Sequence, residues 1–278
     1  MNSLTLLAPA KLNLSLRVLG RRGDGFHDID TLMVKLPGLT DQLEFRPAAE
    51  FAFHCEDPTL PGDAQNLVVQ AVRAYEAVAG LACAWAITLK KSIPHGAGLG
   101  GGSSDAATTL LGLDQLHAGR LGPARLQELA AALGSDVPFF LAPGAARCTG
   151  RGEILAPVPD PPALRVLLLK PGFCAPTPEA YGHWRDSREL PGIPYAAQDI
   201  AGLSLINDLE RPVFAKHRFL AELKLWLLER RETTAALLCG SGSTMFTVLL
   251  EDANAGELAR CARHELDPGL WHWTGVTA

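Results

Sequence analysis

The sequence predicts an α+β fold in two domains, and three observations lead there. Strand-like segments crowd the first third of the chain and alternate with helical ones only irregularly, unlike a regular α/β repeat. Beyond residue 164 the strong segments run βαββαβ, the split βαβ or ferredoxin-like order. Between the halves, "LAPVPDPPAL" (Leu155 to Leu164) contains four prolines and reads as a linker. The expected domains are therefore 1–158 and 159–278. With 278 residues, 47% of them hydrophobic, the chain can bury two ordinary cores.

The N-terminal half opens with "LNLSLRVL" (Leu12 to Leu19), whose apolar and polar residues alternate with period 2 as in a half-buried strand. "TLMVKL" and "QLEF" follow as two further strands, separated by "PGLTD". In "NLVVQAVRAYEAVAG" the residues Leu67, Val68, Ala71, Val72, Tyr75, Val78 and Ala79 share one helical face. Asn66 is its N-cap and Gly80 its stop. "WAITLK" (Trp85 to Lys90) is the next strand, and helices are expected from Ser103 to His117 and from Pro123 to Gly134. Past the linker come the strand "RVLLL", a loop-rich stretch, the helix "RFLAELKLWLLER" and the strands "AALLC" and "TMFTVLL". The helix "NAGELARCARHEL" and the strand "WHWTGV" close the series.

A net charge of −5 with scattered Lys and Arg gives no basic face, which excludes a nucleic-acid partner and favours a small molecule. The six cysteines are far apart and form no CxxC pair, so they read as reduced, mostly buried thiols. "LTLLAPA" imitates a signal-peptide cleavage site but lacks a basic region before it. No stretch approaches the roughly 18 apolar residues of a membrane span. The expected location is cytoplasmic, with no membrane partner, as a monomer or weak homodimer.

The chemistry lies in "IPHGAGLGGGSSDAA", where a glycine-rich loop runs straight into a helix. Gly96, Gly98, Gly100, Gly101 and Gly102 lack a Cβ, so their backbone N–H groups can turn toward one anion. The helix adds its positive end, and Ser103 and Ser104 add hydroxyls. Phosphate is the natural occupant. Two better-known loops do not fit. "GAGLGG" matches GxGxxG, but "KSIPH" separates it from the strand and no suitable acid follows about twenty residues on. The Walker signature needs GK[ST], whereas "GGSSD" stands here.

Seven motifs in order, "PAKLNL", "RRGDGFH", "IPHGAGLGGGSSDAA", "LGSDVPFFL", "PTPEAY", "NDLE" and "GSGSTMF", resemble those of the GHMP kinase superfamily. Within it they are similar to the branch that phosphorylates a diphosphocytidyl alcohol. The resemblance implies an N-terminal domain like ribosomal protein S5 domain 2 and a C-terminal ferredoxin-like domain. It implies ATP and Mg2+, and transfer of the γ-phosphoryl group to the 2-hydroxyl of diphosphocytidyl methylerythritol in non-mevalonate isoprenoid precursor synthesis. Asp136 matches the catalytic aspartate and Lys11 its partner lysine, and Asn13 is placed to position the acceptor. On the residues alone, Asp136 reads equally as a helix cap and Lys11 as a snorkelling strand lysine.

The same resemblance assigns Phe26, His27, Thr177 and Tyr181 to the cytidyl substrate, with Phe26 standing where a tyrosine is usual. Read alone, Phe26 also suits a core position and Tyr181 a surface one. ATP falls to Asn66, which is also a helix cap, and to Pro94, His95, Gly96, Ala97, Gly98, Leu99, Gly100, Gly101, Gly102, Ser103 and Ser104. His95 is expected to face solvent. Ser103, Ser104 and Asp136 are the candidate magnesium ligands. Gly240 and Gly242 of "GSGSTMF" read as a hairpin turn whose backbone faces the cleft.

Three alternatives separate on these residues. Another alcohol kinase of the superfamily, such as homoserine or mevalonate kinase, has no need of "DGFH" and "PTPEAY", which suit a base. A nucleotide-binding regulator that has lost catalysis has no need of both Lys11 and Asp136. A dinucleotide-dependent oxidoreductase fails on the loop spacing.

Overall fold

A computed structural model describes residues 3–278. The first half contains β1 (Leu4–Arg21), β2 (His27–Pro47), β3 (Ala52–Cys55), α1 (Leu67–Ala79) and β4 (Trp85–Lys90). These lead to α2 (Gly101–Leu116), α3 (Gly122–Leu133), α4 (Val137–Leu141), β5 (Ala146–Gly150) and β6 (Ile154–Pro157). The second half holds β7 (Arg165–Lys170), α5 (Thr177–His183), β8 (Gln198–Ile200), β9 (Leu203–Asn207) and α6 (Glu210–Lys216). It ends with α7 (Arg218–Leu228), β10 (Thr233–Leu238), β11 (Met245–Leu249), α8 (Ala255–Glu265) and β12 (Trp271–Val276).

The expected strands "LNLSLRVL", "TLMVKL" and "QLEF" are parts of one long antiparallel hairpin, β1–β2. "PGL" (37–39) does not end β2: Ala10 pairs with Leu36 and Pro9 with Thr40, so the three residues bulge out and the strand continues. A second register shift, between Asn13 and Ser15, interrupts the ladder beside the site described below. In α1 the Asn66 side chain accepts from Val68 N–H, and Gly80 takes the left-handed conformation at φ 65°. Val78, expected on the buried face, is exposed, and Val69 is buried instead. The apolar stripe is rotated by that much.

The first sheet runs β3-β4-β2-β1-β9-β8, with β5 and β6 branching from β2. The second runs β10-β11-β7-β12, all neighbours antiparallel. Taking β7, α7, β10, β11, α8 and β12 as the βαββαβ unit, this is the ferredoxin-like arrangement the sequence predicts. The loop-rich stretch, however, holds the β8–β9 hairpin, and β9 lies parallel to β1 with Leu16 opposite Asn207. The second half thus returns two strands to the first sheet.

Three cores follow. α1, α2, α3 and α4 pack on one face of the first sheet around Tyr75, Phe45 and Phe139. The second sheet meets α6, α7 and α8 around Phe214, Leu223 and Trp226. Between the sheets, Leu12, Leu14, Val34 and Leu36 meet Val166, Leu168, Phe246 and Val248. β7 supplies Leu167 and Leu169 to one core and Val166 and Leu168 to another, which is why it reads as an unbroken apolar run. All six cysteines are free; Cys83, Cys148 and Cys239 are buried, but Cys174 is exposed, so the expected burial holds for half of them. Among the described residues, no helix is long and apolar enough to cross a membrane.

Candidate active site

The glycine loop divides at Gly100. Gly96, Gly98 and Gly100 have φ of 61°, 76° and 72°. Gly101 and Gly102 already belong to α2, which begins two residues before the expected Ser103. Neighbours enforce two of these glycines. A Cβ on Gly98 would stand 2.0 Å from the Cys239 carbonyl oxygen, and one on Gly100 would stand 2.9 Å from both Lys11 Cγ and Phe140 Cζ. No side chain caps α2, so its first-turn N–H groups have no side-chain partner, the arrangement in which a helix start can receive an anion.

Around this turn, Ala97 and Leu99 point into the core between the sheets, and His95 is exposed as expected. Pro94 and Ser103 are half-buried. Ser104 is fully buried and its Oγ has no hydrogen-bond partner. Asn66 caps α1 and donates to the Pro61 carbonyl at 2.9 Å, while its neighbour Leu67 lies against Gly102 at the start of α2.

Lys11 sits beneath Gly100. Its own N–H donates to the Leu99 carbonyl at 2.9 Å, and its ammonium donates to Asn13 Oδ1 at 2.6 Å. The same ammonium lies 3.3 Å from Asp136 Oδ2. At 4% exposure Lys11 does not snorkel. Asn13 donates to Thr31 Oγ1 at 2.8 Å, and Thr31 donates to the Ser15 carbonyl at 2.6 Å, so the irregularity in β1 is filled by a polar chain ending on Lys11. Asp136 stands directly before α4, but its side chain makes no capping bond, which closes the reading of its carboxylate as a helix cap.

The "GSGST" residues do form the β10–β11 turn, and the turn packs on the glycine loop. Ser243 and Thr244 N–H donate to the Gly96 and Ala97 carbonyls, each at 3.3 Å. Ser241 Oγ lies 2.7 Å from Thr177 Oγ1, which brings the start of α5 to the same place. Tyr181, one turn further along α5, lies 5.3 Å from the His27 ring, and burial together with the Asp136 charge pushes its hydroxyl pKa up. Burial and the nearby Arg21 lower that of His27. Phe26, at the tip of the β1–β2 hairpin, is 50% exposed and therefore not a core residue. No ring pair joins it to Tyr181 among the described residues; the Arg151 guanidinium lies 4.7 Å above its ring instead.

Arg151 and Trp184 are the neighbours that sequence reasoning missed. Arg151 stands in "TGRGE" between β5 and β6, a lone cation flanked by two glycines. Trp184 follows Tyr181 by three residues, hence on the same helical face, and meets His27 edge-on at 6.2 Å. Its buried indole N–H has no partner.

Among the described residues no three His, Cys, Asp or Glu side chains cluster as a protein-built metal cage. Mg2+ needs none, since it binds through one or two carboxylates plus substrate phosphates. The Asp136 carboxylate is 33% exposed and the Ser104 hydroxyl has no partner, so each is an oxygen donor of the kind Mg2+ takes.

The model of the GHMP kinases N terminal domain matches residues 66–144, from the cap of α1 through the loop and past Asp136. The chain is 37% identical to the 4-diphosphocytidyl-2-C-methyl-D-erythritol kinase of Methylacidiphilum infernorum, over 97% of this chain and 95% of that one. It is 40% identical to the enzyme of the same name from Deinococcus radiodurans, over 95% and 90%. A crystal structure of 4-(cytidine 5'-diphospho)-2C-methyl-D-erythritol kinase superposes with a TM-score of 0.79 at 35% identity, covering 99% of both chains. A homoserine kinase from Cytophaga hutchinsonii, at 16% identity and a TM-score of 0.72, shares the fold. On this similarity along nearly its whole length, the chain belongs to the 4-diphosphocytidyl-2-C-methyl-D-erythritol kinase family, ATP-dependent small-molecule kinases of the GHMP type.

Proposed function

We propose that the protein transfers the γ-phosphoryl group of ATP to the 2-hydroxyl of 4-diphosphocytidyl-2-C-methyl-D-erythritol, giving the 2-phosphate and ADP. The observation that carries this reading is the Lys11–Asp136 pair, 3.3 Å apart beneath the glycine loop. The uncapped start of α2 and the loop N–H groups receive the ATP phosphates. Asp136 accepts the proton of the acceptor hydroxyl as its oxygen bonds to the γ-phosphorus and the bond to ADP breaks. Lys11 compensates the negative charge that collects there, and Asn13, fixed by Thr31, orients the acceptor. Asp136 then returns its proton to solvent. Magnesium, held by Ser103 or Ser104 with the ATP phosphates, would neutralise phosphate charge and leave the Asp136 carboxylate to accept the proton.

The cytosine lies among Phe26, His27 and Tyr181, and Thr177, one turn before Tyr181 on α5 and bonded to Ser241, faces the rest of the substrate. Arg151 above Phe26 supports an electron-rich ring stacked there. Asn66 keeps its capping role and lies beside the adenine. Residues 1–158 form the kinase domain and 159–278 the ferredoxin-like domain, with β8–β9 returning to the former. The protein acts in the cytoplasm, in non-mevalonate isoprenoid precursor synthesis, as a monomer or weak homodimer with no nucleic-acid partner.

A phosphoryl-transfer assay with ATP and magnesium tests the reading against four acceptors: the cytidyl alcohol, free methylerythritol phosphate, homoserine and mevalonate. Turnover with the cytidyl alcohol alone is expected. Preference for homoserine or mevalonate would overturn it.

A further inference from the structure

"NDLE" is the one sequence motif that the site described so far leaves without a role, and its residues grip backbone. Asp208 Oδ2 accepts from Val18 N–H at 2.9 Å, fixing the end of β9 to β1. Glu210 Oε1 accepts from Leu238 N–H at 3.0 Å, and its other oxygen pairs with buried Lys224. Asn207, 4% exposed, uses every polar atom of its amide. Nδ2 donates to the Leu238 carbonyl at 2.8 Å and to the Gly240 carbonyl at 2.7 Å, while Oδ1 accepts from Leu209 N–H at 2.9 Å.

Gly240 faces the chemistry on its other side. A Cβ built there would lie 3.2 Å from the Gly98 carbonyl oxygen and 3.3 Å from both Asn13 Oδ1 and Lys11 Nζ. The turn beginning at Gly240 also carries Ser241 to Thr177, and Ser243 and Thr244 to the glycine loop. Asn207 pairs in register with Leu16 of β1, the strand that bears Lys11 and Asn13. One buried amide therefore ties the turn to the strand holding the lysine, and so sets the gap between the turn, Lys11 and the phosphate loop.

We propose that Asn207 is a positioning residue for phosphoryl transfer, acting through Gly240. The proposal rests on the roles given to Lys11 and Asp136. No other side chain of this size offers two donors and an acceptor at once. An aspartate would turn a carboxylate toward two carbonyl oxygens.

Gln198 supplies an internal control. Its amide also clasps β10, donating to the Ala236 carbonyl and accepting from Ala236 N–H, each at 3.0 Å, but two residues before Leu238. The experiment compares Asn207→Ala, Asn207→Asp, Gln198→Ala and Asp136→Asn by thermal denaturation, by steady-state turnover well below each Tm, and by CDP inhibition against the cytidyl alcohol. Both Asn207 variants are expected to lose kcat by about 10- to 100-fold, the scale of a misplacement near 1 Å. Their CDP inhibition constants should stay within about two-fold, since a fault at the transfer site spares the base end. Gln198→Ala should lower Tm and leave kcat within about two-fold.

A folded Asn207→Ala enzyme with kcat within about two-fold of the parent would overturn the proposal. If Asn207→Ala does not fold, Asn207→Asp, which has the same size, decides on the same criterion. An equal kcat loss in Gln198→Ala would also overturn it, by making the effect one of β10 as a whole. Normal turnover in Asp136→Asn would instead remove the proton-acceptor assignment, a separate failure.

Discussion

Gly100 lies directly over Lys11: a Cβ on this glycine would stand 2.9 Å from Lys11 Cγ and 3.1 Å from Cε. The glycine loop and the lysine are therefore one packed unit, and on the proposed assignment a change at the loop is felt at the transfer site. Gly100 also has φ 72°, where β-branched residues are outliers. Gly100→Val is expected to abolish ATP binding while the fold persists. Calorimetric titration with ATP checks it, and unchanged affinity would mean the loop is not the phosphate cradle.

Lys11 has a neutral near-isostere in methionine, which fills the same buried slot. Lys11→Met should keep Tm within a few degrees and reduce kcat/KM by about 10²- to 10⁴-fold, because charge developing in transfer loses its counter-ion. A variant that loses Tm but keeps kcat/KM would make Lys11 a packing residue.

Phe26 carries a half-exposed ring with a guanidinium on one face, and on the proposed assignment the other face takes the base. Phe26→Ala should raise KM for the cytidyl alcohol by about ten-fold or more, in line with about 1–3 kcal/mol per stacked base, and leave KM for ATP unchanged. Phe26→Tyr should be near neutral. Equal effects on both Michaelis constants would remove the cytosine assignment.

Beneath the first turn of α2, the Lys91 ammonium is shared by the buried carboxylates of Asp41 and Asp105. Two acids with one base leave one negative charge in excess, and burial, with the Asp41 charge, pushes the Asp105 carboxyl up to about 7 against the pull of Lys91. A folded-state value above the unfolded one means that the native state holds its proton more tightly. Asp105 therefore contributes stability that is complete below about pH 4 and is lost as pH rises to about 7. Asp105→Asn, which mimics the protonated acid, should flatten that decline and be at least as stable as the parent at pH 8. Thermal denaturation from pH 4.5 to 8 checks it; identical slopes in the two proteins would contradict the assignment.

Local signals were legible where one segment decides its own structure. α1 shows its cap and stop, β1 its alternation, and the glycine loop its missing side chains. Failures came where distant segments decide. Pro37 and Gly38 look like a turn, yet pairing with β1 on both sides carries the strand through them. The β8–β9 hairpin is short and gains its meaning from β1, about 190 residues earlier. Lys11, Asp136 and the "GSGST" turn could be named from motifs, but their meeting required three separate segments to fold together. Arg151 and Trp184 carry no pattern of their own; only the rings of Phe26 and His27 mark them.

The most direct measurement of the central claim is single-turnover phosphoryl transfer to the cytidyl alcohol by Asp136→Asn, with ATP affinity measured on the same preparation. An amide cannot accept the hydroxyl proton, so transfer should slow by about 10²- to 10⁴-fold while ATP binds as in the parent. Transfer at the parental rate would contradict the account.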